Sequence, residues 1–344
     1  MPVGALGSMP SENDYLPVLA TYPPDCFPTA IEPLGAAGGF SGSRLWRLAT
    51  PRGPLCLRRW PHGYRSEKLE FVQAVLWHVD QEGFHQVPVP LETSSLAGYV
   101  RHAGHLWDIS PWMPGQADYR LDRAPAKLWG AMTALARFHL AAQSFPLPEN
   151  RPLSAPGLFE RRRRLEQLLE GDARQIAAAV RPEVWPELAA RAIEIMRLFF
   201  ATVESVVEVV VSACGLRVVL QPCIRDVWHD HILFHQGAVS GIIDFGAMRP
   251  ETVAGDIARL LGSLAVDDRP TWQAGLEAYQ VIRPLSAAEL QLVKAYDQTS
   301  VLLTGIQWLD WVFREGRQFG DRPAVLARAD EALVRLSYLG DSSR

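Results

Sequence analysis

Residues 223–246 read CIRDVWHDHILFHQGAVSGIIDFG, and no other stretch of the chain restricts its fold as tightly. Asp226 lies in a polar loop just after the apolar-rich residues 218–220. Asp244 closes the run GIID eighteen residues later. Between them, residues 232–234 and 239–243 have the alternation of two short strands around the turn HQG. A loop, a hairpin and a second carboxylate at the end of the hairpin fix the spacing of the two acids. Asp244 sits at the mouth of an apolar strand, where an ionised carboxylate is costly unless it meets a cation. A divalent ion is its natural partner. Asp226, in a polar loop, is of a type that can accept a hydrogen bond and take a proton. Either acid alone could simply cap a turn. Their order and spacing favour chemistry.

The rest of the composition sets limits. At 344 residues and 38.2 kDa the chain suits two lobes, and 48% hydrophobic residues supply an ample core. The net charge of −4 is spread along the chain, so neither nucleic acid nor membrane is expected as a partner. The one basic run, residues 161–164, lies in a helical context and reads as a solvated helix face rather than a phosphate-binding patch. Four cysteines (Cys26, Cys56, Cys214, Cys223) have no short paired spacing, so zinc knuckles and disulfides are not expected. No secretory signal pattern opens the chain and no apolar run spans a bilayer, so the expectation is a cytoplasmic protein. Oligomeric state is not legible.

Along the chain, residues 1–25 are rich in Pro, Gly and Ser and read as a flexible arm. Residues 30–60 read as a hairpin with a glycine-rich turn, AAGGFSGS. Residues 66–82 have apolar positions 69, 72, 75, 76 and 79, which is helical spacing, with Ser66 as N-cap. Strand-like GYVRHA and HLWDISPW follow, and MPG closes this part near Gly115. Helical texture begins at residue 120, in PAKLWGAMTALARFHLAA, and continues over about 157–170 and 182–211. Residues 217–220 look like a short strand, and helices return from Asp256 to the end with breaks at Pro270, Pro284 and Pro323. The division expected is an arm (1–25), a β-rich lobe (26–115) and a helical lobe (116–344).

In their order, these motifs resemble the aminoglycoside phosphotransferase and choline kinase branch of the protein-kinase-like fold, the phosphotransferase enzyme family. The matches run from about residue 31 to 262. The resemblance implies an α+β, bilobal protein-kinase-like fold with a small β-rich N-lobe and a larger α-helical C-lobe. It also implies a phosphotransferase moving the γ-phosphate of ATP (or GTP), with Mg2+ or Mn2+, to the hydroxyl of a small molecule. In that pattern Arg225-Asp226 is the catalytic pair and Asp244 a metal ligand. The glycine-rich turn, with Gly38, Gly39, Ser41, Gly42 and Ser43, would close over phosphates through backbone amides. Arg58 stands where the family has a phosphate-pairing Lys, and can grip phosphate bidentately. Glu70 would be its helical partner, with Glu67 second. Pro111, Trp112 and Met113 would read adenine from the backbone. Asp256 would brace the catalytic loop, or else act as a helix N-cap, and His139 would be structural.

One position departs from the family. His231 stands where the metal-binding Asn is usual. It would ligate a metal such as Mn2+, contact phosphate as an imidazolium, or mark a lost second metal site. His229, Asp230 and His235 crowd the same stretch, which also raises a zinc hydrolase as a weaker idea. Beside the enzyme stands a rival class, a catalytically impaired pseudokinase serving as a nucleotide- or partner-binding module.

Overall fold

The computed structural model describes residues 14–34, 42–149 and 151–341. The chain forms two compact units, Met1–Gln116 with Leu233–Gly246, and Ala117–Ile232 with Ala247–Arg344.

The first unit opens with helix α1 (Leu16–Leu19) and strand β1 (Ala30–Pro33). Strands β2 (Arg44–Thr50) and β3 (Gly53–Arg59), helix α2 (Ser66–Gln81), and strands β4 (Val100–His102) and β5 (His105–Pro111) follow. The strands make one antiparallel sheet in the order β1-β2-β3-β5-β4. Alternation sends Leu48, Leu55, Leu57, Trp107 and Ile109 to one buried face. Val18, Leu19, Tyr22 and Cys26 pack into that same core. From residue 14 onward the segment expected as a flexible arm contributes Val18, Leu19 and Tyr22 to the core, while Leu16 stays exposed. In α2, Leu69, Val72, Val75, Leu76 and Val79 form the buried face, as the spacing predicts. Arg65, not Ser66, takes the cap position, and its side chain makes no capping bond.

The second unit is helical: α3 (Pro125–Ala142), α4 (Pro156–Gln167), α5 (Ala173–Ala179) and α6 (Pro186–Cys214). Strand β6 (Gln221–Cys223) comes next, later than the strand expected over 217–220, of which Val218 makes only a bridge to Leu153. Pro222 is tolerated within β6 because the strand pairs on one side only.

Strands β7 (Ile232–His235) and β8 (Ala238–Ile242) form the hairpin that belongs to the first unit. Gln116 and Phe234 exchange two backbone hydrogen bonds, 2.9 and 2.8 Å. Gly115 is required at this crossing. Its φ is +99°, and an added Cβ would lie 2.5 Å from the Phe234 carbonyl oxygen.

Strand β9 (Arg249–Glu251) then pairs with β6. Helices α7 (Val253–Leu264), α8 (Arg269–Gln280), α9 (Ala287–Leu309) and α10 (Arg322–Asp341) complete the second unit. Thr252 and Asp268 cap α7 and α8, and a full capping box of Ser286 and Glu289 starts α9. Helix α9 packs against α6, α7 and α10. The four cysteines are free, and among the described residues no helix is long and apolar enough to cross a membrane.

Candidate active site

In the second unit, β6 runs straight into the loop that carries Arg225 and Asp226. Arg225 has φ +67°, a left-handed conformation that costs energy for a bulky residue and needs support. Asp256 gives that support from α7. Its Oδ2 accepts from the Ile224 N–H at 2.7 Å and its Oδ1 from the Arg225 N–H at 2.6 Å. Asp256 is 0% exposed, and His139 Nε2 lies 3.1 Å from its Oδ2. On the other side, Tyr279 Oη is 2.8 Å from His139 Nδ1. Burial lowers the His139 pKa, against the pull of Asp256. A neutral ring fits the bonds: Nε2–H donates to Asp256 and Nδ1 accepts from Tyr279. Asp256 is thus the loop brace that the resemblance implied. It is not a helix cap, since Thr252 holds that position.

So fixed, the loop presents Asp226 with its side chain 48% exposed. Arg259 Nη2 donates to Oδ1 at 2.9 Å. Oδ2 takes no hydrogen bond from the described residues and can accept from a hydroxyl. The Arg225 side chain turns to Glu160, 3.2 Å away.

His231 returns to the same loop. Its Nδ1 is 2.7 Å from the Asp226 carbonyl oxygen, and the Trp228 indole N–H donates to its Nε2 at 2.9 Å. These bonds place the proton on Nδ1. The zinc idea finds no support among the described residues. The only close cluster of three or more His, Cys, Asp or Glu side chains there is His139, Cys223 and Asp256, in which His139 and Asp256 already hold the hydrogen bonds above and Cys223 donates to the Glu251 carbonyl.

In the first unit, Arg58 on β3 meets Asp244 at the end of the β7–β8 hairpin, Nη1 to Oδ1 at 3.4 Å. Asp244 has φ +64°, a second strained backbone at a candidate residue. The Arg58 guanidinium also lies over the Trp60 ring, 4.8 Å from its centroid. Burial opposes the Arg58 charge, but Asp244 and Asp108 together raise its pKa above the ordinary value. Tyr64 Oη donates to the Gly246 carbonyl at 2.8 Å and anchors the segment after Asp244.

Glu70 does not pair with Arg58. It is exposed and accepts from Tyr99 Oη at 2.7 Å. The reason is helix phase. Gln73, one turn on, lies on the buried face and donates to Asp108 Oδ2 at 3.3 Å. Asp108 stands opposite Arg58 in the β3–β5 register. Neither Gln73 nor Asp108 carried a signal in the sequence, because only strand register brings them to Arg58.

Gly38, Gly39 and Ser41 lie outside the described residues. Gly42 has φ +78°, and Ser43 is buried. Of the three adenine-reading candidates, Pro111 ends β5, and the Trp112 N–H already donates to the Pro54 carbonyl at 3.0 Å. Met113 packs its side chain against Gly241, where a Cβ would lie 2.9 Å from Met113 Cε.

The basic run 161–164 is not a uniformly solvated face. Arg161 reaches across to α9, and Arg164 pairs with Asp172 and the buried Asp310 at 2.6 and 2.7 Å. Their periodicity looked like a surface because the helices that cover it lie more than a hundred residues away.

The family model described as "Phosphotransferase enzyme family" matches residues 33–290. A homoserine kinase of Agrobacterium fabrum is 24% identical over 292 residues, covering 81% of this chain and 80% of its own. Among solved structures, an amicoumacin kinase in complex with AMP-PNP, Ca2+ and Ami aligns with TM-score 0.63 at 16% identity, over 96% of this chain and 93% of that one. An aminoglycoside phosphotransferase from Alicyclobacillus acidocaldarius aligns with TM-score 0.57 at 20% identity, over 99% of both chains. A choline/ethanolamine kinase family protein from Mesorhizobium loti aligns with TM-score 0.55 at 16% identity, over 95% of this chain and 92% of that one. The expected α+β protein-kinase-like fold is borne out.

Proposed function

The chain belongs to the phosphotransferase enzyme family, and from that premise we propose that it transfers the γ-phosphate of ATP (or GTP) to the hydroxyl of a small molecule. One observation carries the reading. Asp226 projects from a loop whose strained backbone is held by a fully buried Asp256, with one oxygen on Arg259 and the other open.

Asp226 Oδ2 accepts the acceptor O–H and orients its oxygen toward the γ-phosphorus. The new O–P bond forms as the bond from that phosphorus to the β–γ bridging oxygen breaks. The nucleoside diphosphate leaves with that electron pair, and the hydroxyl proton passes to Asp226. Arg259 keeps the carboxylate in one rotamer. Arg58 and backbone amides around Gly42 and Ser43 hold phosphate oxygens, with Gly38, Gly39 and Ser41 in the same turn. The Met113 backbone contacts the base, flanked by Pro111 and Trp112.

Asp244 fits a hard divalent cation, Mg2+ or Mn2+. It is a part-exposed carboxylate at the end of the hairpin, and an oxygen donor suits such an ion. When bound, the ion neutralises phosphate charge. His231 fits this donor set less well, since Trp228 occupies its Nε2. We assign it to bracing the Asp226 loop.

The test is Asp226→Asn in the purified protein. Turnover of ATP should fall ~10²–10⁴-fold, while nucleotide still raises the melting temperature as in wild type. An unchanged rate removes Asp226 from the mechanism. Wild-type protein that binds nucleotide without any turnover or phosphoryl transfer across acceptors makes the chain a nucleotide-binding module.

A further inference from the structure

Several arginines gather beside Asp226 in the second unit, and one of them, Arg161, has no carboxylate partner among the described residues. Arg161 Nη1 donates to the Tyr296 carbonyl at 3.0 Å, to Thr299 Oγ1 at 2.8 Å and to Ser300 Oγ at 2.7 Å. Its guanidinium lies over the Tyr296 ring at 4.9 Å. All of these partners are neutral, and no carboxylate among the described residues pairs with it. Burial pushes its pKa down to about 10, and the charges of Arg259 and Arg225 push the same way. Arg225 and Arg249 both reach Glu160, at 3.2 and 2.6 Å, and Arg249 also lies 3.7 Å from Glu251.

Alongside these groups is a cavity of about 90 Å³ lined by Arg120, Trp228, Arg259, Ser300, Thr304 and Arg328, among others. Four arginines line it, and one of them, Arg335, is already held by Asp267 and Asp297 at 3.4 and 2.8 Å. Arg328 stacks on Trp228, 3.5 Å from the ring centroid, and its nearest carboxylate, Asp230, is 3.7 Å away. Burial lowers the Arg328 pKa, against the pull of Glu331 and Asp230, and Arg120 and Arg259 add to the lowering. Glu331 also lines the cavity, but Arg120 takes its carboxylate. Arg259 lines the cavity and holds Asp226, so the cavity adjoins the candidate acceptor carboxylate.

We propose that the acceptor is a small hydroxy acid, with its hydroxyl on Asp226 and its carboxylate on the wall formed by Arg259 and Arg328. This rests on the phosphotransferase reading and names its substrate class. Guanidinium groups recognise a carboxylate through paired, charge-assisted hydrogen bonds. They repel a cation, so neither choline nor a polyamine sugar suits this wall. Ser300 and Thr304 add hydroxyls for a second polar substituent.

The test measures binding apart from turnover. L-homoserine, D-glycerate and glycolate are titrated calorimetrically into the full chain, each against its carboxamide, with choline and kanamycin as cations. The same panel is then offered with ATP and Mg2+, and phosphate transfer is measured. At least one acid should bind roughly tenfold or more tighter than its amide. Arg328→Gln should close that gap and Arg328→Lys restore most of it. Arg120→Gln is the second variant should loss of the Trp228 stack weaken the fold. No acid binding tighter than its amide, or a cation taking phosphate better than every acid, overturns the proposal. An acid that binds through Arg328 yet never takes phosphate upholds the anion site and sinks the phosphotransferase reading.

Discussion

Asp226 and His231 lie five residues apart in one loop, and the hydrogen bonds give them different tasks. His231 donates from Nδ1 to the Asp226 carbonyl and accepts from Trp228 at Nε2. His231→Asn should then leave the ratio of Mg2+- to Mn2+-supported turnover unchanged and lower both rates several-fold, from loss of a bond worth ~1 kcal/mol. Turnover against each metal, at equal nucleotide occupancy, measures this. A tenfold move of the ratio toward Mg2+ makes His231 a metal ligand instead. Asp226 and Asp244 could be found in the sequence because their setting is local: a loop, a hairpin and eighteen residues. Asp108 could not, since only the register of β3 against β5 sets it opposite Arg58. Glu70 was misjudged for a related reason. A helical face fixes a stripe, and the side of the stripe that meets a given strand residue is decided by packing.

At the scale of elements, α3, α7 and α8 meet at one buried chain of hydrogen bonds, from Tyr279 through His139 and Asp256 to the loop backbone. Burial depresses the His139 pKa from its ordinary 6.5. The folded protein therefore keeps the ring neutral at a pH where the unfolded chain has already protonated it. That contribution is complete above about pH 6.5 and declines as pH falls below it. Urea midpoints at about pH 7.5, 6.5 and 5.5 should be similar for the first two and lower for the third, with the acid loss reduced in His139→Gln. An equal acid loss in the variant assigns the effect to other groups. Periodicity anticipated α2 and α3 well, because each buries a continuous stripe. It misplaced β6, because three residues with a central Pro carry no strand pattern and owe their pairing to β9.

For the molecule as a whole, composition indicated two parts, and the chain does form two compact units. The first run of the first unit ends at Gln116. The later return of residues 233–246 was hidden, since a hairpin in sequence does not declare which sheet or core it joins. The same is true of α9 and α10, which have no readable motif yet bring Ser300, Thr304 and Arg328 to the cavity. Because the Gln116–Phe234 bridge and the Arg58–Asp244 pair need residues after 232, the first unit has an order of events built into its synthesis. A ribosome that has released residues 1–116 has delivered a sheet without its hairpin. More than a hundred residues of the other unit must emerge before Phe234 and Asp244 do. A fragment of residues 1–116 should accordingly be far more protease-sensitive than the same residues within a 1–246 fragment, as pulse proteolysis can measure. Equal resistance would mean that the sheet is stable without the hairpin packed on it. The first unit thus waits for residues 233–246 before its last contacts can form.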